Sequence, residues 1–394
     1  MLSAFRREPV DRIPWVPRLD LWFKSNQTRG TLPPEWRDAS LRDIVRDLGV
    51  GFHAAIPDFL DTEHPDEACD RVLGLDHVPN QPYRLRFRRT RREVIREGET
   101  IRVIYHTPAG DLSGVLLYTD RMRRDGVTLM HVHERVVKSP EDYRTLAELF
   151  GDIEIEPDQS RYRQFRGSIG EDGVAVAFGN VAASPVHHLL KELVPYDRFY
   201  YDLHDRPDAV FDCAKAMQAH FDAALHACCD SDAELVMFGA NYDVSMTPPR
   251  LFEEHILPEL RRWADALHAH GKLLATHTDG ENQGLCHLYS QAGVDVADSV
   301  CPHPMTRLSL ADCHAQMGNS VAVWGGICSV SVLTGSFTDA QFEDHINSAL
   351  DAFPDGRGIV YSIADTTPPD ASLDRIRRIG EAIGARQLTR GNQP

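Results

Sequence analysis

Leu273-Leu274-Ala275-Thr276-His277-Thr278-Asp279-Gly280 is an apolar run that breaks into a histidine, a carboxylate and a glycine. A buried parallel strand reads this way when it ends by presenting polar groups at its C-terminal edge. His277 and Asp279 are alternate residues, so their side chains project to the same side, and Gly280 permits a sharp turn. Outward from this stretch the pattern recurs. Strands are expected at 174–179, 235–240, 273–276, 294–300, 321–326 and 359–363. Helical spacing fills the intervals at 185–193, 207–228, 248–270, 283–292, 309–317 and 339–353, and a helix at 372–385 follows the last strand. Strands alternating with helices imply right-handed crossovers and a parallel sheet.

Two shorter apolar segments, 13–18 and 52–58, precede this series, with helical spacing at 40–48 between them and a short lead-in helix within 1–12. Six strands plus two make eight. The economical architecture is an α/β fold, a (β/α)8 TIM barrel, in one domain spanning 1–394. A doubly wound sheet is the runner-up, but no GxGxxG follows an early strand. Residues 84–137 differ: alternating segments around Arg84–Arg88, Ile101–Tyr105 and Leu129–His133 are separated by turn residues, so an antiparallel β meander is expected as an N-terminal insertion. Seven arginines fall between Arg84 and Arg96. They read either as a basic contact patch or, preferably, as the solvated face of an edge strand. Ser139-Pro140-Glu141-Asp142 is the expected cap of the helix that follows.

The net charge of −17, from 42 basic and 59 acidic residues, argues against nucleic acid or an anionic membrane as partner. No secretory signal and no membrane-length apolar run is evident, and the eight cysteines form no CxxC pair. Reduced core thiols and a cytoplasmic setting are expected. The helical histidines His220, His226, His255, His268 and His270 are expected at the surface or in caps.

In a barrel of this kind the active site is built at the C-terminal ends of the strands. Those ends carry Arg18 and Asp20, Asp58, Asn180, Asn241 and Asp243, His277 and Asp279, Cys301 and His303, Cys328, and Asp365. His277, Asp279 and Asp365 together suit a divalent ion such as zinc, manganese or iron with a position left open for substrate. The same residues could equally form a histidine–carboxylate pair without metal. Asn180, Asn241 and Arg18 are candidates for binding substrate, and Asp58 and Asp243 for a catalytic role. Cys328 has no base beside it in sequence and reads as a core thiol. Gly325-Gly326 allows close backbone approach to a ligand or a neighbouring strand.

Four stretches resemble the uroporphyrinogen decarboxylase superfamily. They are Glu8-Pro9-Val10-Asp11-Arg12-Ile13-Pro14, His277-Thr278-Asp279-Gly280, Val323-Trp324-Gly325-Gly326-Ile327, and residues 359–369 with the helix after them. The resemblance spans nearly the whole chain and implies a (β/α)8 barrel. True uroporphyrinogen decarboxylases carry an arginine-rich Met-Arg-Gln-Ala-Gly-Arg stretch after the first strand. Here Pro17-Arg18-Leu19-Asp20-Leu21-Trp22-Phe23 holds one arginine, too few cations for a porphyrinogen with many carboxylates. The other branch comprises cobalamin-dependent methyltransferases that bind zinc through His-x-Cys and a later Cys. His277 matches the first ligand, while Asp279 and Asp365 fall where the cysteines would be. The resemblance thus implies a metal-dependent methyltransferase that passes a methyl group from a small methoxylated or N-methylated substrate to a corrinoid protein. It implies zinc as the metal and a homodimer. A metal-independent decarboxylase or lyase acting through Asp58 or Asp243, and a non-catalytic ligand-binding barrel, are the alternatives.

Overall fold

The computed structural model describes residues 1–391. Its strands, in chain order, are β1 (Tyr83–Phe87), β2 (Arg91–Glu97), β3 (Thr100–Thr107), β4 (Gly110–Leu117), β5 (His131–Glu134), β6 (Ile153–Pro157), β7 (Ala177–Asn180), β8 (Leu235–Ala240), β9 (Leu273–His277), β10 (Val296–Val300), β11 (Ala322–Cys328) and β12 (Ile359–Ala364). The last six form one sheet in the order β12-β11-β10-β9-β8-β7, with every pair parallel. Helices or helical turns separate consecutive strands, as right-handed crossovers require. Strands β8, β10, β11 and β12 are buried throughout, which is why they read as continuous apolar runs.

The two-residue side-chain period sorts these strands into two cores. Phe178, Leu235, Met237, Ala275, Val296, Ala322, Trp324 and Val360 share one cluster with Val16 and Ala55. Their neighbours Val236, Phe238, Leu274, Ala297, Val323 and Tyr361 pack instead with the helices. Phe5, from the short helix Leu2–Phe5, packs on Trp324 with ring centroids 5.1 Å apart and fills one end of the first cluster.

The expected strands at 13–18 and 52–58 are reduced to single parallel bridges, Trp15 to Tyr361 and Phe52 to Gly173. Val16 N–H donates to Tyr361 O (2.8 Å) and Tyr361 N–H to Pro14 O (3.0 Å). Pro14 and Pro17 carry no N–H, so a longer ladder has no donors there. Gly51 N–H donates to Trp15 O (2.8 Å), Phe52 N–H to Asp172 O (2.8 Å) and Val176 N–H to Ala54 O (3.1 Å). Backbone hydrogen bonds therefore run from β12 through 14–16 and 51–54 to the segment that enters β7.

The antiparallel region differs from the sequence expectation in its strands. Its sheet has the order β2-β3-β4-β5. Arg84–Phe87 is not part of it: β1 pairs with β6, some seventy residues later, in a separate two-stranded ribbon at the stem of the region. β2 and β4 were not foreseen. Gly110, expected in a turn, opens β4, and Leu129-Met130 precedes β5 rather than belonging to it. All seven arginines of 84–96 find local acceptors. Arg84 pairs with Glu63 and Asp158, Arg86 with Glu154 and Glu156, Arg89 with Glu148 and Asp152, Arg91 with Glu93, Arg92 with Asp70 and Arg96 with Asp66. Arg88 donates to Gly151 O.

Three helical details also depart from expectation. The span 248–270 is two helices, Pro249–His255 and Leu257–Ala269, because Pro258 cannot donate to the preceding turn and starts a new helix instead. The helix after Ser139 begins at Asp142, whose carboxylate accepts from the N–H groups of Lys138 and Ser139 (both 2.7 Å). His220, expected at the surface, is 4% exposed inside the helix Pro207–Cys229, and burial pushes its pKa down to about 3. All eight cysteines are free and buried. No helix among the described residues is long and apolar enough to cross a membrane.

Candidate metal and substrate site

The period that fills the inner core also aims the polar groups beyond it. His277 follows Ala275 on the inward face of β9, Asp298 follows Val296 on β10, and Arg18 follows Val16. In the parallel register Asp298 lies beside His277. His277 Nδ1 meets Asp298 Oδ2 at 2.7 Å, and His277 Nε2 meets Asp365 Oδ1 at 3.2 Å. Arg18 Nη1 donates to the same Asp365 oxygen at 2.9 Å and Arg18 Nε to Asp20 Oδ1 at 3.3 Å. Ser299 Oγ donates to Asp365 Oδ1 at 3.3 Å. On the other side, Asn241 Nδ2 donates to Asp279 Oδ2 at 3.3 Å.

Backbone conformation sets two of these groups. Asn241 and Ser299 are non-glycine residues with φ of 60° and 66°. Such left-handed conformations are costly outside glycine and here reorient the chain where strands β8 and β10 meet the cavity. The bulge at Ser299 brings Val300 close to β11. A Cβ on Gly325, at φ 140°, would lie 2.7 Å from both Val300 N and Val300 O. The close approach inferred for Gly325 from sequence is therefore to a neighbouring strand.

The electrostatics follow from charges gathered out of water. Burial alone would lower the His277 pKa, but Asp365 and Asp298 more than offset it and raise it to about 10. Burial would likewise raise Asp365, yet Arg18 and His277 hold it below the usual carboxylate range. Asp298 is held at about 2, burial being outweighed by its hydrogen bond to His277 and by the neighbouring His53. Asp279 is raised, first by burial and then by the charge of Asp365.

One imidazole nitrogen and two carboxylates converge here: ligand atoms of His277, Asp279 and Asp365 lie within 4.8 Å of one another. This donor set fits a divalent ion of borderline or hard character. Asp298 supplies what such a histidine requires, a carboxylate on Nδ1 that leaves Nε2 facing the other ligands. Two features oppose it: the Arg18 guanidinium already neutralises one oxygen of Asp365, and His277, its pKa raised to about 10, must give up its Nε2 proton to ligate.

His277, Asp365, Arg18, Asp20 and Asn241 line a cavity of about 300 Å³. Its apolar wall comes from Leu21, Ile56, Phe59, Phe178 and Val181, and Val127-Thr128-Leu129 of the antiparallel region cover one side. The other residues singled out in sequence are placed elsewhere. Asp58 is paired with Lys24 and accepts from Leu60 N–H (3.0 Å). Asp243 accepts from Ser245 and from Glu281 N–H (2.9 Å), bracing the loop against which Gly280 packs. Asn180 is turned towards the helix Pro207–Cys229, with Oδ1 accepting from Ala182 N–H (3.0 Å) and Nδ2 3.5 Å from His220. Cys301 and Cys328 pack against Ala364 in a small apolar cluster.

Two participants escaped the sequence reading. Asp298 sits inside the apolar run Val296–Val300 rather than at its end, and the available signal was a carboxylate in phase with Val296. His53 lies 3.7 Å from Asp298 Oδ1 and packs on Trp324 in a tilted ring contact at 4.7 Å. Its signal was its phase with Ala55.

The model of the family described as Uroporphyrinogen decarboxylase (URO-D) matches residues 175–385. A methyltransferase from Methanosarcina mazei is similar in structure, with a TM-score of 0.52 at 13% identity, covering 98% of this chain and 97% of that one. No curated protein matches the chain in sequence.

Proposed function

The chain belongs to the uroporphyrinogen decarboxylase family, and from that premise we propose that it is a metal-dependent methyltransferase of that family's methyltransferase-like branch. Its parallel sheet is read as a (β/α)8 barrel, with 14–16 and 51–54 as the two short strands between β12 and β7. The observation that carries the functional reading is the convergence of His277, Asp279 and Asp365, of which His277 and Asp365 line the cavity. Those three residues would hold a divalent ion such as zinc, which when bound supplies Lewis acidity towards the heteroatom that bears the methyl group.

The remaining groups act on the ligands and on the substrate. Asp298 keeps the His277 proton on Nδ1 and fixes the ring plane. Arg18 restrains Asp365 and presents its guanidinium towards the cavity. Asn241 orients Asp279 and faces the substrate. The acceptor is a corrinoid carried by a separate protein, and the substrate is a small methoxylated or N-methylated compound. The fold neighbour described as a methyltransferase agrees with this reading. Decarboxylation through Asp58 or Asp243 has less support, because each carboxylate is engaged by its own surroundings.

The test is methyl transfer from a panel of methoxylated and N-methylated compounds to reduced cobalamin, with carbon dioxide release followed in parallel on a carboxylated panel. Methyl transfer that requires added zinc and is lost in His277→Ala supports the reading. Carbon dioxide release without methyl transfer replaces it.

A further inference from the structure

The same cavity is lined by three charged side chains that the metal site does not use: Arg71, Asp76 and Lys191. Arg71 belongs to the helical turn Glu67–Leu73, and Lys191 to the helical turn Leu189–Leu193 after β7. The two cations share one internal counter-ion, Glu192, which is 2% exposed. Arg71 Nη1 is paired with Glu192, and Lys191 Nζ lies 3.4 Å from its other oxygen while donating to Val181 O at 2.9 Å. Arg71 Nε is buried with no acceptor.

Asp76 is different. It is 7% exposed, lines the cavity, and has no hydrogen bond or ion pair within 4 Å among the described residues. Buried carboxylates are ordinarily hydrogen-bonded, since desolvation of an unpaired one is expensive. Its pKa is pushed up to about 7, first by burial, with Arg71 acting against the rise. A carboxylate left in this condition is one whose donor arrives from outside the chain. Phe59 and Phe178, in edge-to-face contact at 5.7 Å, line the same cavity.

We propose that the cavity takes a substrate whose far end is an amino-acid-type zwitterion, its ammonium on Asp76 and its carboxylate beside Arg71 and Lys191. Its apolar middle lies against Phe59 and Phe178 and its heteroatom points to His277. A lone amine there would face two cations, and a lone carboxylate would leave Asp76 unpartnered beside a second negative charge. An ammonium–carboxylate pair adds no net charge to a buried cluster that contains both signs, and it supplies the donor that Asp76 lacks.

The proposal rests on taking this cavity as the substrate site, and it is tested by binding alone. Four probes share a 4-methoxyphenyl group: O-methyl-L-tyrosine, 3-(4-methoxyphenyl)propanoate, 2-(4-methoxyphenyl)ethylamine and 4-propylanisole. Titration calorimetry on the full chain should give affinity for O-methyl-L-tyrosine at least tenfold above the other three. Asp76→Asn should erase that advantage, leave the propanoate unchanged, and melt at or above the wild-type temperature. Equal affinity for all four, heat from none of them, or a variant that melts several degrees lower would each overturn the proposal, the last by assigning Asp76 to the internal ion cluster. Zwitterion-selective binding without methyl transfer keeps the proposal and rejects the reaction. Methyl transfer without zwitterion selectivity does the reverse.

Discussion

Seven arginines crowd residues 84–96, whereas among the described residues Arg18 is the one arginine paired with Asp365 beside His277, and the contrast shows where charge becomes chemistry. Arg86, Arg89 and Arg91 are 61%, 59% and 67% exposed and are matched by nearby acids or by the facing strand. Such pairs are screened by water and contribute little individually. The Arg18 side chain is 8% exposed, and its partner Asp365 lies 347 residues away in sequence. There the cost of burying Asp365 as a carboxylate is offset by the charges of Arg18 and His277. Local density of arginine marks a soluble edge; burial and convergence from distant strands mark the site.

The largest effect expected from this contrast is at His277. His277→Ala should bring the metal content of protein purified without chelator from near-stoichiometric to background by elemental analysis, while Arg91→Ala leaves it unchanged. Metal retained in His277→Ala would remove the distinction between the two regions.

Asp298→Asn keeps the shape beside His277 and removes the carboxylate's charge. Metal affinity, read by competition with a chromogenic chelator, should fall about 10- to 100-fold. An unchanged affinity would mean that His277 is held by packing alone.

Asp152 is a fully buried acid on the arginine side, as Asp70 is, and accepts from Arg89 N–H (2.9 Å) and Thr90 N–H (2.7 Å). Burial opposes its ionisation, but these donors prevail and hold its pKa at about 2, against 3.8 ordinarily. A depressed carboxylate stabilises the fold above its unfolded pKa and loses that contribution as pH falls through the folded one. Asp152→Ala should cost about 2 kcal/mol in urea unfolding at neutral pH. Its deficit relative to wild type should shrink between pH 4 and pH 2, and a deficit that grows on acidification would contradict the assignment. The smallest effect is expected at Arg86→Ala, within about 0.5 kcal/mol by the same measurement.

The legible parts of the molecule are those whose signal is local. Strands β8 to β12 could be read because each is an apolar run ending in polar residues, and His277, Asp279 and Asp365 stand at such ends. The ribbon of β1 and β6 was hidden because alternation shows a strand's faces but not its partner, and here the partner lies some seventy residues along the chain. Asp298 was hidden by its apolar neighbours: a carboxylate inside a buried strand makes sense only once His277 is seen beside it. Asp58, Asp243 and Asn180 share the composition of the strand ends but are turned by Lys24, Ser245 and Ala182 towards their own loops, a choice that residue type does not encode.

The bridge between Trp15 and Tyr361 and the ion pair between Arg18 and Asp365 join opposite ends of the chain. Long-range contacts of this kind form late, because loop-closure entropy must be overcome before they are rewarded. A ribosome that has delivered the first three hundred residues has made four of the six parallel strands and His277, but neither Asp365 nor the partner of Trp15. His277, Asp279 and Asp365 come together only once the last strand is in place.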